Sequence, residues 1–432
     1  MLNKDLVVRL LKERIKYFRK QSVPYEKIPD LIGFDTETSK NVVKGNFDAI
    51  DEMIEFMRDK NIPLEFVKTV NEAHYGDKPL LLVAIASAIT PWTNTETVNI
   101  HIVGSSSSGK THALGSILKT IVPPTHYASI TSNSPKAIYY AARKGMLNRN
   151  LIIMLDDLDT YDSFVQKLKT LTWTHTLKPR HWTVIGGKFE EMSIENNFAF
   201  WLTSVHPPKN EELQNRFIYL NTDESEGHKL RVYERVKKLF SSGKEKQPVA
   251  KRKIDLMRNI FNLLTLEQTN VVIPFDIDYE PKSDVRSVVQ FFALLKGITA
   301  LNKHKRRRTK NGCIVASYSD CLLAKEVATY INPYKMTSSL MKLWNILPRE
   351  EGKTKYEIAN ALGVSTRTVI RGINQLSRKD LIQFGFVGKV ATYKKKIDTI
   401  KSRITIKTPK KFKCDISDYE TIVKYINNRT NN

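Results

Sequence analysis

The chain has 432 residues, of which 41% are hydrophobic and 26% charged, a balance that excludes wholesale disorder and leaves room for several packed domains. Lys and Arg number 69 against 45 Asp and Glu, a net charge of +24. Residues 301–432 hold 28 of the basic residues and only 10 acidic ones, so +18 of the excess lies there and points to a polyanion, most simply nucleic acid.

Residues 1–76 show helical periodicity, in Leu6-Val7-Leu10-Leu11-Ile15 and in Ile50-Met53-Ile54-Met57, and are expected to form a helical N-terminal region. Charges throughout the first 20 residues give an amphipathic helix without a signal-peptide core. Asp35-x-Glu37 resembles the first metal motif of proofreading exonucleases, but no second and third motifs follow, so a helix-capping turn is the expectation. The longest apolar run, Leu80–Thr90, is about half a membrane span. Cys313, Cys321 and Cys414 lack paired spacing, which argues against a zinc site and for a reducing compartment. No membrane association and a cytoplasmic location are expected.

Residues 77–225 alternate strand-length apolar runs with helical stretches. The runs are Val98–Val103, Tyr127–Thr131, Leu151–Leu155, Phe198–Val205 and Phe217–Leu220. Strands separated by helices argue for an α/β fold, a parallel sheet with helices on both faces. Residues 226–312 are mostly helical, and the run Lys303–Gly312 reads as an exposed basic boundary. Residues 313–395 form a second small domain, and residues 396–432 a basic tail with a helix near Asp418–Ile426.

The strongest chemical signal is Gly104-Ser105-Ser106-Ser107-Ser108-Gly109-Lys110-Thr111, which fits GxxxxGK[ST] between a strand and a helix. Glycines let such a loop wrap a phosphate with its N–H groups, and the helix N-terminus adds a positive dipole end. Lys110 is expected to reach the β- and γ-phosphates of ATP and Thr111 to ligate Mg²⁺, with His112 counted among the nucleotide-binding residues. A second acidic element follows the run LIIML: Asp156 is expected to hold Mg²⁺ and Asp157 to polarise the attacking water.

The order of these motifs resembles the AAA+ ATPases, with the helicase-type ATPases of archaeal and viral replication as the nearest pattern. The resemblance implies a helical lid over residues 226–312. It implies a hairpin around Gly186-Gly187 whose Lys188 touches DNA. It also implies a sensor on the strand Phe198–Val205, Thr203 or alternatively Ser204. Arg216 after NEELQN matches an arginine finger acting on a neighbouring subunit, with a surface pair to Glu211 or Glu212 as the bland alternative. Arg286 matches a lid residue contacting the nucleotide. A trans-acting finger implies a homo-oligomer, and most relatives form hexameric rings. A primase or other replication proteins are implied partners.

Residues 339–395 resemble a winged helix-turn-helix. Ser365, Thr366, Arg367, Thr368 and Arg371 lie at the start of its third helix, where base edges and phosphates of DNA are within reach. A wing with turn residues Gly385 and Gly388 would offer Lys389 and Lys394 to phosphates. Two functions remain open on the sequence: a DNA helicase or translocase, and an ATP-controlled initiator or transposition-type switch.

Overall fold

The 3–4 spacing of apolar residues at the N-terminus is realised as helices. α1 (Lys4–Lys20) buries Val7, Leu11 and Ile15, and α2 (Ile28–Ile32) and α3 (Thr36–Lys44) follow. Asp35 is the N-cap of α3: one carboxylate oxygen accepts from the N–H groups of Glu37 (3.0 Å) and Thr38 (3.1 Å), and the other accepts from Asn259 Nδ2 (2.7 Å). The capping expectation is met. α4 (Asp48–Asp59) buries Ile50, Met53, Ile54 and Met57, and α5 (Ile62–Ala73) leads to α6 (Lys78–Ala88), which is buried from Leu80 onward because it is apolar all round. The computed structural model describes residues 4–130, 137–145, 147, 150–156, 168–169, 171–172, 180–185, 188–194, 197–206, 211–243, 249–280, 285–331, 336–397 and 403–407, with isolated positions beyond.

The central run of the chain forms β1 (Ile100–Val103), α7 (Lys110–Thr120), β2 (Tyr127–Ile130), α8 (Ala137–Arg143) and β3 (Asn150–Leu155). An antiparallel hairpin, β4 (Arg180–Ile185) with β5 (Lys188–Ser193), comes next. β6 (Asn197–Ser204), α9 (Glu211–Gln214) and β7 (Ile218–Asn221) complete the region. β1, β2, β3, β6 and β7 make a parallel sheet in the order β2-β3-β6-β1-β7. Alternation sends Ile100, Ile102, Met154 and Trp201 into the core shared with α5, α6 and α7. Val103, Ile153, Phe200 and Tyr219 pack in a second cluster on the opposite face. The expected parallel sheet covered on both faces is present, with β1 flanked by β6 and β7.

Beyond the sheet come α10 (Glu226–Ser241), α11 (Lys251–Leu264), β8 (Val271–Val272), β9 (Asp276–Glu280), α12 (Val285–Leu301), β10 (Ile314–Val315) and α13 (Tyr318–Ala328). Buried residues of α1, α4, α5, α6, α7, α11, α12 and α13 form one continuous cluster. Residues 1–76 and 226–312 are therefore not separate packing units, as the sequence division had them. α12 crosses α6 so closely that a Cβ on Gly297 would lie 2.4 Å from the Ala86 carbonyl oxygen.

The basic run at 303–312 also departs from expectation, because its first charges are buried. Lys303 is 0% exposed and donates to the Leu264 carbonyl at 2.8 Å. Arg306 is 8% exposed and grips Asp320 through two bonds of 2.7 Å, one from Nε and one from Nη2. Partners from distant elements remove the need for water, so the run ties α13 to α12.

A separate core begins only at Met336. It is built by α14 (Ser338–Ile346), β11 (Lys353–Thr354), α15 (Lys355–Leu362), α16 (Thr366–Arg378), β12 (Ile382–Val387) and β13 (Val390–Lys395). Leu343, Trp344, Ile358, Val369, Ile373 and Leu376 fill it. β11, β13 and β12 form an antiparallel sheet in that order. Gly388 (φ 61) sits in the tight turn, whereas Gly385, expected as a turn residue, is inside β12 opposite Thr392. The tail is not wholly free of structure: β14 (Arg403–Lys407) pairs antiparallel with β9, and Lys407 Nζ lies 3.2 Å from Asp276 and 3.1 Å from Asp278. The helix expected near Asp418–Ile426 lies largely outside the described residues. Among the described residues, no helix is long and apolar enough to cross a membrane.

Candidate functional site

β1 and α7 hold the Gly104–Thr111 loop at the C-terminal end of the sheet. Gly109 (φ 85) is left-handed, as the reversal into α7 demands, and Ser107 (φ 62) is left-handed too. Gly104 presses on the β7–α10 linker: a Cβ there would lie 2.7 Å from Thr222 Oγ1 and from Ser108 Oγ. The same linker supplies Glu224, whose carboxylate accepts the Ser105 N–H at 2.7 Å. Lys110 Nζ donates to the Gly104 and Ser105 carbonyls at 2.9 and 2.7 Å, which keeps the ammonium at the mouth of the loop.

The β3–β6 register pairs Leu155 with Leu202, so the next residues, Asp156 and Thr203, face each other. Asp156 Oδ1 accepts from Thr203 Oγ1 (2.5 Å) and from Thr111 Oγ1 (2.6 Å). A hydroxyl beside a carboxylate is the pair through which a P-loop holds Mg²⁺, with phosphates and waters completing the shell. Among the described residues, no cluster of three or more His, Cys, Asp or Glu could hold a metal ion. Ser204 is turned elsewhere: its hydroxyl donates to the His206 carbonyl at 2.5 Å and meets His101 Nε2 at 2.6 Å. Of the two sensor candidates, Thr203 alone reaches Asp156. Asp157 lies outside the described residues.

Sequence reasoning missed the residues behind the loop. His112 Nδ1 meets His74 Nδ1 at 2.9 Å, and His74 Nε2 meets Asp77 at 3.0 Å. Burial first, then the neighbouring His74 and Lys119, lowers the pKa of His112. Asp77 in turn accepts the Asp223 N–H at 2.9 Å. The start of α7 is thereby wired to the β7–α10 linker. No spacing in the sequence marks His74, Asp77 or Glu224 as neighbours of the loop, since they come from two segments distant from it and from each other.

Arg216 and Arg286 lie at the other end of the sheet. Ile218 and Asn221 pair with Ile100 and Val103, so Arg216 precedes the strands while the loop follows them, a separation of roughly 16 Å along the strand direction. Arg216 is 9% exposed, pairs with Glu212 at 2.5 Å and donates to the Lys169 carbonyl. The Arg–Glu pair weighed as the bland alternative is thus formed. Arg286, at the start of α12, is exposed. The first turns of that helix abut the Arg216 segment, with Gln290 Nε2 donating to the Asn215 carbonyl at 3.4 Å. Burial lowers the Arg216 pKa, Glu212 opposes that, and the Arg286 charge adds to it. Arg286 therefore does not cover the loop of its own chain, as the lid assignment required, because α12 belongs to the main core.

Lys188 is exposed at the end of the β4–β5 hairpin, while Gly186 and Gly187 lie outside the described residues. In the C-terminal unit Ser365 is the N-cap of α16, accepting the Thr368 N–H at 3.2 Å. Arg367, Thr368 and Arg371 are exposed, Thr366 is half-buried, Lys389 is exposed at the β12–β13 turn and Lys394 is half-buried.

This loop, acidic strand end and parallel sheet define a P-loop nucleotide-binding protein. A family model described as the MTBMA_p00010 P-loop domain matches residues 47–267, more than half of the chain, and the chain belongs to that family. It is similar to the uncharacterized protein MTBMA_p00010 of Methanothermobacter marburgensis, 27% identical over 353 residues that cover 72% of this chain. The match spans only 43% of that relative's length. Among solved structures, a full-length MCM homolog from Methanopyrus kandleri aligns over 57% of this chain and 60% of its own, at 10% identity and a TM-score of 0.30. The Thermotoga maritima RuvB Holliday junction branch migration motor aligns over 72% and 89% respectively, at 13% identity and a TM-score of 0.24. Likenesses this low leave the fold reading to the strand order and the loop.

Proposed function

We propose that the protein is an oligomeric AAA+-type ATPase that works on DNA, as a helicase or translocase. The observation that carries the reading is the convergence of Thr111, Thr203 and Asp156 beside the Gly104–Thr111 loop. Lys110 and the loop N–H groups would hold the triphosphate of ATP, and Thr111 and Asp156 its Mg²⁺. Thr203, on the neighbouring strand, would orient the attacking water, with Asp157 as its base.

The placement of two arginines supports an oligomer. Arg216 and Arg286 are too far from their own loop to serve it, so they would act on the nucleotide of an adjacent copy in a ring. α10 leaves Leu230, Tyr233, Val236 and Phe240 exposed by 63, 62, 44 and 67% at helical spacing, which suits burial against such a copy. We read the unit from Met336 to Ile397 as a winged helix, in which α16 would present Arg367 and Arg371 to duplex DNA and Lys389 and Lys394 would contact phosphates. Lys188, at the hairpin end, would touch DNA in the ring channel. A reducing intracellular location goes with this reading.

The test is displacement of one strand from forked DNA with ATP, using Lys110→Ala as control. Displacement by the parent and none by the variant is the expected result. DNA-stimulated ATPase with no displacement by the parent overturns the helicase. It would favour the second reading, an ATP-controlled initiator switch, which the self-contained core of the C-terminal unit also suits.

A further inference from the structure

Ile382, Phe384 and Phe386 lie on one face of β12 by the alternation of a strand. Their exposure climbs from 5 to 55 to 74%. Ile382 is in the core of the unit, and Phe384 stands edge-on to Tyr393 with ring centroids 5.6 Å apart. Phe386, opposite Ala391, extends past everything the helices cover. The core is closed by Leu381, Ile382 and the partly buried Tyr393, and the exposed ring of Phe386 lies outside it.

The surroundings say what such a ring would meet. Residues 363–397 hold eight Lys and Arg against a single acid, Asp380. That acid is already held by Lys396 at 2.6 Å. A polyanion is attracted here, and one with flat apolar faces would match the rings as well. Duplex DNA hides its base faces by stacking, whereas an unpaired strand offers them. The β4–β5 hairpin also exposes rings, Trp182 and Phe189, 6.1 Å apart. Its own charges, Arg180 and Lys188 against Glu190 and Glu191, cancel, so apart from the single contact read for Lys188 it draws a polyanion less than residues 363–397 do.

We propose that Phe386, backed by Phe384, is a stacking platform for unpaired nucleic-acid bases, distinct from the α16 residues read as duplex contacts. The inference rests on the DNA-acting reading above. It would let the unit hold a duplex and an adjoining single strand together.

The test uses the full chain at fixed salt, with a single-stranded oligonucleotide carrying 2-aminopurine and a blunt duplex of the same sequence. Phe386→Leu keeps the apolar bulk and removes the flat ring, and Phe386→Trp keeps a ring. The Leu variant should bind the single strand about tenfold more weakly and lose the stacking-induced change in 2-aminopurine fluorescence. Duplex affinity, set by phosphate contacts, should hold, and the Trp variant should match the parent. Unchanged single-strand affinity in the Leu variant, with a parent that binds both DNAs, overturns the platform alone. A parent that binds neither DNA overturns the DNA-acting reading and the platform with it. A Leu variant altered in sedimentation but not in DNA binding would make the face a contact between copies, and the platform would again fall.

Discussion

Thr203 Oγ1 donates to Asp156 Oδ1 at 2.5 Å, and that same oxygen accepts from Thr111 at 2.6 Å. One carboxylate oxygen thus joins the tip of β3 to both β6 and the start of α7. The two hydroxyls should separate kinetically. Thr203→Val keeps the shape and removes the donor, so kcat for ATP hydrolysis should fall about 10- to 100-fold with nucleotide affinity nearly unchanged. Thr111→Val should instead weaken Mg²⁺-dependent nucleotide binding. Steady-state rates paired with a nucleotide titration separate the cases. A Thr203 variant that loses affinity and keeps kcat would make Thr203 a binding residue.

The opposed positions of the loop and Arg216 give a second prediction. Arg216→Ala and Lys110→Ala should each abolish ATPase activity alone. Mixed in equal amounts and allowed to exchange subunits, they should restore about one quarter of the interfaces, by random pairing of an intact loop with an intact arginine. The Glu212 pair must open for this role, so Glu212→Gln should not impair the parent as Arg216→Ala does. No recovery on mixing, with sedimentation showing mixed oligomers, would leave Arg216 as a structural residue.

The site was legible where its signal is local. An apolar run, a left-handed Gly109 and a helix opening at Lys110 all fall within a dozen or so neighbouring positions, and each is dictated by backbone sterics or phosphate geometry. Asp156 was legible for the same reason, as the acid that ends a buried strand. Long-range placement was not. The periodicity of α12 tells that it has a buried side, but not that its first turn would meet Arg216 in place of the loop. The charges of Lys303 and Arg306 read as solvated because their partners, the Leu264 carbonyl and Asp320, arrive from other elements. His74, Asp77 and Glu224 carried no motif at all.

That buried basic segment sets a stability prediction. Arg306 donates two hydrogen bonds to Asp320 in a site where Asp320 is 1% exposed. Burial alone would raise the Asp320 pKa, but Arg306 and the Ser317 donors overcome it and the net shift is downward. Arg306→Ala should cost about 3–5 kcal/mol, because it strands a buried carboxylate. Arg306→Met with Asp320→Leu should cost less, leaving the loss of the Ser317 capping box at the start of α13, about 1 kcal/mol, and of the acceptor for the buried Asn302 amide, about 1–2 kcal/mol. Urea unfolding of the three proteins compares them. Equal losses in the single and double variants would show that the pair itself, and not the stranded charge, carries the effect.

Three histidines make the fold sensitive to acid. Burial lowers the pKa of His101, His126 and His304 from 6.5 to about 3, with Arg14 adding to the effect at His126 and Lys305, Arg306 and Lys303 at His304. A depressed folded-state pKa means that the unfolded chain takes up the proton first. The stability these neutral rings contribute is complete above pH 6.5 and is lost as the pH falls towards 3, by about 1.4 kcal/mol per pH unit for each ring. His126 isolates one share: it stacks on Trp92 at 4.9 Å and meets Thr265 Oγ1 at 2.9 Å, and that hydroxyl also donates to backbone carbonyls of α11. His126→Phe should keep the stack and leave Thr265 a partner. Its unfolding free energy, followed by urea titration from neutral pH down to about pH 5, should fall less steeply than the parent's by that single increment. An identical slope in the two proteins would mean that His126 is protonated in the folded state, or that the site opens before it titrates, and either would remove it from the acid response.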